Sequence, residues 1–307
     1  MSVTIRQLSY FLALIGEGHF GRAAARVHVS QPALSMQIRE LEAGLAARLI
    51  DRQARGIRLT RTGHEVAARA RRILSEVTEL EAVARRQGTR QRIHLGVIPT
   101  VAPYLLPRAL PRLRDGAGAD LRVREAQTVA LMTALDEGQL DAVVIATPAP
   151  QARLVSRALF TDRFLLAGSA ARLAAMAVVP EGLRPISLDP DQLLLLDEGH
   201  CLADQALEVC ALDRRRVRLD LGASSLSTLC GLVGQGMGLT FLPEIAVATE
   251  AAAVPDMAVR RFAAPEPARD VALVRRAGAD EEGWFEALAA ELAQAGQELI
   301  ADARRRG

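Results

Sequence analysis

Two cysteines nine residues apart are the side chains of this sequence best suited to redox chemistry. Cys201 follows an apolar run and the turn at 197–200, and it opens the helical pattern LADQALEVCAL, which contains Cys210. A helix N-terminus carries partial positive charge that stabilises a thiolate, the form of cysteine that peroxides oxidise. His200 and Arg269 are candidate polar partners of that thiolate. The position therefore predicts a reactive thiol at Cys201.

The same helix limits disulfide formation between the two cysteines. If residues 201–210 are helical, nine steps of about 1.5 Å separate the two Cα atoms by roughly 13 Å. A disulfide needs a Cα separation of about 4.4–6.8 Å, so the bond can form only if the segment refolds. Cys210 shares a helical face with Leu202 and Val209. This predicts that the reduced Cys210 packs in the core.

Other polar residues could complete a site around Cys201. Thr100 and Thr128 could hydrogen-bond a peroxide, although Thr100 could equally serve only as a helix cap. Asp204 lies one turn into the helix that begins at Cys201. Cys230, in STLCGLVGQG, is interpreted as a packing residue. The remaining histidines lack the spacing of metal ligands, and neither a metal nor a cofactor is predicted.

Composition and charge narrow the class of protein. With 50% hydrophobic and 24% charged residues and no apolar run of membrane-spanning length, the sequence predicts a soluble globular protein. An N-terminus without signal-peptide features and only three cysteines predict a cytoplasmic location. Residues 1–92 hold 16 Arg against 8 acidic residues, whereas the remainder holds 22 Arg against 28. The basic N-terminal third predicts an anionic partner, either nucleic acid or a membrane surface.

The first 60 residues follow a helix-turn-helix pattern. Phe20 to Val27 is a short helical segment, and after a tight turn Ser30 can cap a third helix with Pro32 in its first turn. One side chain per turn of that helix is expected to face outward and contact DNA: Gln31, Ser35 and Arg39. Pro32, next to Gln31, is also predicted to belong to the DNA-binding surface. Gln can hydrogen-bond adenine and Arg guanine, which predicts base contacts in the major groove.

A basic two-stranded wing is expected after that helix. Gly56 marks its turn, and the arginines around it suit contacts to the phosphate backbone: Arg52, Arg55 and Arg58. Thr62 and Glu65 are predicted to form a capping box for a long helix that runs to about Gln87. Its apolar residues step by four and three in alternation: Val66, Ala70, Ile73, Val77, Leu80 and Ala84. This heptad seam predicts a dimerising helix, and the alternative is an amphipathic helix packed on its own domain.

From Arg92 onward strand and helix patterns alternate, which predicts an α/β domain with largely parallel sheets. The resulting domain prediction is a winged helix-turn-helix over 1–60, a linker helix over 61–90 and a regulatory domain over 91–307. The regulatory domain is long enough for two subdomains, the first at about 91–162 plus 268–307 and the second at about 163–267.

The run AAARVHVSQPALSMQIRELEAGLAARLIDRQARGIRLTRTG closely resembles the N-terminal domain of LysR-type transcriptional regulators. Ile50 and Thr62 depart from the usual Phe and Ala of that family. The resemblance implies a winged helix-turn-helix, a linker helix that forms dimers, and two Rossmann-like α/β subdomains of the periplasmic-binding-protein type. It also implies that the partners are double-stranded DNA with a dyad-symmetric operator, a second dimer that completes a homotetramer, and RNA polymerase.

The segment DEGHCLADQALEVC resembles the peroxide-sensing OxyR branch of this family, as do VIPTVAPYLLP, EAQT and PEPARD. This resemblance implies that hydrogen peroxide is the effector, that Cys201 is the peroxide-reactive thiol and that Cys210 resolves it. It implies that the peroxide pocket is formed by five residues: Thr100, Thr128, His200, Asp204 and Arg269.

Two other functions remain open at this point. The chain could be a LysR-type regulator that binds a small metabolite between its subdomains, with incidental cysteines. It could also be a thiol peroxidase or reductase, but it has no C-x-x-C motif, and an enzyme does not need the SQPALS helix or the heptad seam. A regulator that is not an enzyme is the favoured prediction.

Overall fold

The computed structural model describes residues 3–53, 56–85, 92–116, 120–146, 153–176, 182–197, 201–209, 219–278 and 283–306. The chain divides into two compact units. One comprises Met1–Thr89 with Asp136–Gln139, and the other comprises Arg90–Leu135 with Leu140–Gly307. Within the described ranges, no helix combines the length and apolarity needed to cross a membrane.

The described residues of the N-terminal unit form four helices and one hairpin. They are α1 (Ile5–Glu17), α2 (Phe20–Arg26), α3 (Gln31–Gly44), β1 (Ile50–Gln53), β2 (Gly56–Leu59) and α4 (Arg61–Arg85). Ser30 caps α3 through a hydrogen bond from the Ala33 N–H at 3.4 Å, as predicted. Gly18 ends α1 in the left-handed conformation, with φ of 63°. The unit's core is formed by apolar side chains of all four helices together with Leu49 and Ile50 at the start of the hairpin.

The start of α4 differs from the prediction, because Thr60 rather than Thr62 caps it. The Thr60 hydroxyl accepts a hydrogen bond from the Gly63 N–H at 2.9 Å and donates one to the Arg48 carbonyl at 2.8 Å. The first turn also lies against the chain before the wing, since a Cβ on Gly63 would stand 2.0 Å from the Leu49 carbonyl oxygen. The prediction of a capping box at Thr62 and Glu65 was wrong, because the Thr60 hydroxyl bonds both the first turn of α4 and the chain before the wing.

The C-terminal unit has nine strands, seven α-helices and two short 3-10 helices among the described residues. The strands are β3 (Arg92–Val97), β4 (Asp120–Glu125), β5 (Ala142–Ala146), β6 (Leu154–Ser169), β7 (Leu194–Leu196), β8 (Leu219–Ala223), β9 (Leu239–Pro243), β10 (Met257–Arg261) and β11 (Ala268–Arg276). The helices are α5 (Ala102–Gly116), α6 (Thr128–Asp136), α7 (Ala170–Ala175), α8 (Cys201–Val209), α9 (Leu226–Gly234), α10 (Glu244–Ala253) and α11 (Trp284–Arg306).

The main sheet of this unit is mixed, which corrects the prediction of largely parallel pairing. The main sheet has the order β10-β6-β11-β5-β3-β4, with β9 also paired to β6. Among the strand pairs of the described residues, β3–β4, β3–β5 and β7–β8 are parallel and the others are antiparallel. The long strand β6 pairs with β11 over residues 154–163, and from Phe164 onward it pairs with β9 and β10. The ladders of β6 with β9, β10 and β11 are antiparallel, so these three strands run in the direction opposite to β6.

Candidate functional site

Two threonines follow the carboxyl ends of neighbouring parallel strands. Val97 at the end of β3 is paired with Glu125 at the end of β4, and Thr100 and Thr128 each stand three residues further along the chain. Since adjacent strands lie about 4.8 Å apart, this register brings both threonines to one edge of the sheet. In open α/β sheets that edge is where ligands bind.

Cys201 contacts one of these threonines. It is the first residue of α8, it is half-buried, and its Sγ lies 3.0 Å from Oγ1 of Thr128, the first residue of α6. Either atom can be the donor. Two helix N-termini, each with a partial positive charge, therefore meet at one thiol. The arrangement gives a half-buried thiol a hydroxyl partner at the point where two helices begin.

Thr100 is held by Arg269, which is the second contact among the predicted site residues. Nη1 of Arg269 donates to the Thr100 hydroxyl oxygen at 2.8 Å, and Nη2 donates to the Thr100 carbonyl at 3.1 Å. Both residues are buried. Thr100 lies in the turn before α5 rather than at the position of a simple helix cap. Its hydroxyl oxygen is occupied as an acceptor, so its hydrogen remains to be donated elsewhere.

The structure tests the remaining predicted redox residues to different extents. Asp204 is exposed on the first turn of α8. His200 and Cys210 lie outside the described residues. No group of three His, Cys, Asp or Glu side chains in the described part of the chain is arranged to hold a metal ion.

Cys230 is much less accessible than Cys201. It is fully buried in α9, and burial, with a smaller contribution from Glu250, raises the pKa of its thiol to about 12. A thiol with that pKa is almost entirely protonated at neutral pH and is a poor nucleophile. The interpretation of Cys230 as a packing residue agrees with these observations.

Asp162 was missed by the sequence analysis, although it holds the key arginine. Its carboxylate Oδ2 accepts from Nε of Arg269 at 3.0 Å and is paired with Nη2 at 2.9 Å. Burial raises the pKa of Asp162 while the Arg269 charge opposes that rise. The sequence did contain a signal for Asp162. It lies two residues from Phe160 and from Phe164 on the same strand, so all three side chains face inward. A charged side chain on the inward face of a strand needs a buried partner.

The helix-turn-helix unit presents most of the predicted DNA contacts at its surface. Gln31, Pro32 and Arg39 of α3 are exposed, as is Arg58 of β2. Arg52 belongs to β1, but its side chain is outside the described part of the structure, as is the whole of Arg55.

Ser35 does not face outward as predicted, because it is buried. It lies about 60° around the helix axis from the core residue Ile38, which places it at the border of the apolar face. Its hydroxyl also accepts a hydrogen bond from the Arg39 guanidinium at 3.3 Å. Ser35 therefore supports Arg39 within α3.

Two family models match the chain in the order of its two units. Residues 5–64 match the bacterial regulatory helix-turn-helix protein, lysR family, and residues 86–297 match the LysR substrate binding domain. The second match alone covers more than half of the chain. The chain therefore belongs to the LysR family.

Its relatives place it in the OxyR branch of that family. It is 39% identical to a probable hydrogen peroxide-inducible genes activator of Streptomyces viridosporus over 305 residues, covering 96% of this chain and 95% of that protein. A full-length OxyR variant of Pseudomonas aeruginosa has a similar structure, with a TM-score of 0.68, 33% identity, and coverage of 95% of this chain and 98% of that one. A Corynebacterium glutamicum OxyR mutant described as H₂O₂-bound has a TM-score of 0.63, 29% identity, and coverage of 100% and 97%.

Proposed function

We propose that this protein is a DNA-binding transcription regulator that senses hydrogen peroxide through oxidation of Cys201. The single observation that carries the proposal is the half-buried Cys201 thiol at the start of α8, 3.0 Å from the Thr128 hydroxyl. The similarity to hydrogen peroxide-inducible genes activators and to an H₂O₂-bound OxyR mutant supports the choice of effector.

The first step is a two-electron oxidation of the thiolate. The Cys201 sulfur attacks one oxygen of H₂O₂, so that an S–O bond forms while the O–O bond breaks. The departing hydroxide takes up a proton and leaves as water, and Cys201 becomes a sulfenic acid. Negative charge develops on the departing oxygen, where aligned hydrogen-bond donors have their largest effect. Thr100 and Thr128 are the proposed donors, with His200, Asp204 and Arg269 as the other pocket residues.

In the second step Cys210 resolves the sulfenic acid. Its thiolate attacks the Cys201 sulfur, an S–S bond forms, the S–O bond breaks, and the oxygen leaves as water after protonation. Eight helical steps place the Cα atoms of Cys201 and Val209 about 12 Å apart. The Cα atom of Cys210 is about 3.8 Å from that of Val209, so it cannot come within disulfide range of Cys201 while residues 201–209 stay helical. A disulfide therefore requires α8 to unwind. We propose that this refolding of α8 changes how the regulator engages DNA.

Footprinting tests the proposed function directly. The same preparation is bound to operator DNA after reduction with a dithiol and after one equivalent of H₂O₂, and Cys201 is assayed by mass spectrometry in both samples. We expect an oxidised Cys201 and a footprint that differs between the two states. Identical footprints with an unmodified Cys201 would instead favour the alternative function, a regulator that responds to a small metabolite between its subdomains.

The DNA contacts proposed for α3 and the wing predict two kinds of defect. Gln31→Ala and Arg39→Ala should relax base preference, because side chains of the recognition helix contact base edges. Arg58→Ala should weaken binding to every sequence and reduce the slope of affinity against salt by about one unit, because it removes one phosphate contact. Affinities for an operator and its scrambled version, measured over a salt series, separate the two. Equal losses on both DNAs for all three variants would contradict the assignment of α3.

Dimerisation through α4 is proposed from side chains that the N-terminal unit leaves uncovered. Ala67 and Ala70 are buried in that unit's core, whereas Ile73 and Leu80 are 44% and 71% exposed. Aspartate at both exposed positions should bury unpaired charge in a seam between two copies and dissociate it. Multi-angle light scattering measures the change.

Ala68 provides the matched control for this experiment. It is exposed on the same helix and lies about 140° around the axis from Ile73, so Ala68→Asp adds the same charge away from the seam. If the Ile73→Asp/Leu80→Asp variant remains as oligomeric as Ala68→Asp, the dimer forms elsewhere. Assembly into a homotetramer, contact with RNA polymerase, a cytoplasmic location and the lack of enzymatic turnover complete the proposal.

A further inference from the structure

A buried ion pair contacts Thr100, one of the two threonines proposed to donate to the peroxide. Asp162 of β6 and Arg269 of β11 are directly opposite each other in the antiparallel ladder. Both side chains are fully buried, and the carboxylate contacts Nε at 3.0 Å and Nη2 at 2.9 Å. Two contacts to one oxygen fix the plane of the guanidinium as well as its position.

The second carboxylate oxygen of Asp162 is also fixed. It accepts a hydrogen bond from the Ile245 N–H at 3.1 Å, in the first turn of α10. The neighbouring Glu244 is buried too, and it is paired with Arg261 at 2.6 Å. Asp162 is thus anchored to the backbone of a helix, and it cannot turn without breaking that bond or its contacts to Arg269.

The other side of the guanidinium sets the orientation of Thr100. Nη1 and Nη2 of Arg269 donate to the hydroxyl oxygen and the carbonyl oxygen of Thr100, at 2.8 and 3.1 Å. Since these bonds occupy acceptor positions, the hydroxyl hydrogen points away from Arg269. The sheet register brings Thr100 to the same edge as Thr128, which contacts Cys201.

We propose that Asp162 is a positioning residue for the oxidation of Cys201. It fixes Arg269, and Arg269 turns the Thr100 hydroxyl so that it donates a hydrogen bond to the peroxide oxygen that departs as hydroxide. In that step the S–O bond forms on Cys201, the O–O bond breaks, and the hydroxide is protonated to water. The inference rests on the proposed function, and it assigns Asp162 no contact with the peroxide itself.

Two reactions of the same thiol distinguish positioning from general damage. H₂O₂ needs an aligned donor at its departing oxygen, whereas iodoacetamide needs only an accessible thiolate. In the full-length protein, Asp162→Asn is expected to lower the rate constant for Cys201 with H₂O₂ by about 10-fold, because a displaced donor is a costly misalignment. The rate with iodoacetamide should be unchanged.

Asp270→Asn is the matched control for this variant. Asp270 is the next residue on β11, and it accepts a hydrogen bond from Thr161 at 2.7 Å on the exposed face of the same two strands. The same chemical change there should leave both rates at their wild-type values. Asp162→Glu keeps the charge but moves it by one methylene, and it provides a second variant with the same expectation if Asp162→Asn does not fold.

A double-mutant cycle tests whether Asp162 acts through Thr100. If it does, Thr100→Val combined with Asp162→Asn should react with H₂O₂ as slowly as Thr100→Val alone. The inference is overturned if the effects of the two substitutions on the logarithm of the H₂O₂ rate constant add, or if both Asp162 variants react with H₂O₂ like the wild type. It is also overturned if the reaction with iodoacetamide slows by the same factor as the reaction with H₂O₂. A different result, in which wild-type Cys201 reacts with H₂O₂ no faster than free cysteine, would contradict the proposed function itself.

Discussion

Cys201→Ser is expected to abolish the response to hydrogen peroxide completely. A serine hydroxyl has no accessible anion near neutral pH and forms no sulfenic acid, so the first oxidation cannot occur. The operator footprint of this variant should be the same before and after one equivalent of H₂O₂, while its affinity for DNA in the reduced state stays at the wild-type value. Mass spectrometry of the same samples should show no oxygen added at position 201.

Two further cysteine variants serve as controls for this result. Cys210→Ser should still be oxidised at Cys201, but the product should remain a sulfenic acid or proceed to sulfinic acid, and the change in footprint should be lost or weakened. Cys230→Ser should respond like the wild type, because the raised pKa of Cys230, about 12, keeps that thiol protonated. A main wild-type product that joins Cys201 to Cys230 would overturn the proposed pairing.

The sequence contained enough local information to predict part of the candidate site. Cys201 opens α8, as the helical pattern indicated, and Thr128 is the first residue of α6. Both features depend on short segments in which an apolar strand is followed by a turn and a helix. The position of Thr100 relative to Arg269 required more, because the two residues are 169 positions apart. Only the resemblance to a family brought them together before the structure did.

The residues that sequence analysis missed depend on long-range pairing. Asp162 lies in the part of β6 that pairs with β11. Its partner is 107 residues away in a ladder that runs antiparallel, which the expectation of largely parallel sheets did not anticipate. The prediction that Ser35 faces outward was wrong for a related reason. Whether a small residue at the border of a helical face is buried depends on the residues that pack around it.

Arg269→Met is expected to destabilise the regulatory unit strongly. Methionine keeps much of the volume, but the Asp162 carboxylate is then buried without its partner, which costs about 3–5 kcal/mol. Urea unfolding reports this loss through the fluorescence of Trp284, the single tryptophan of the chain, which lies in α11. The same variant should lose the donor that orients Thr100, so Cys201 oxidation should slow as well.

The pH dependence of that variant gives the prediction a second, independent test. Burial raises the pKa of Asp162 in the folded state, and without Arg269 only the Ile245 N–H among its described partners opposes the rise. A group whose pKa is higher in the folded than in the unfolded protein favours folding at low pH and loses that contribution as the pH rises. The loss of folding stability in Arg269→Met relative to the wild type should therefore be smaller near pH 4, about where an unfolded Asp ionises, than near pH 7.

Arg163→Met is the matched control for this prediction. Arg163 is partly exposed and pairs with Glu266 at 2.7 Å, so its loss should cost about 0–1 kcal/mol at either pH. Equal losses for the two variants would show that the Asp162–Arg269 pair contributes no more than a surface ion pair.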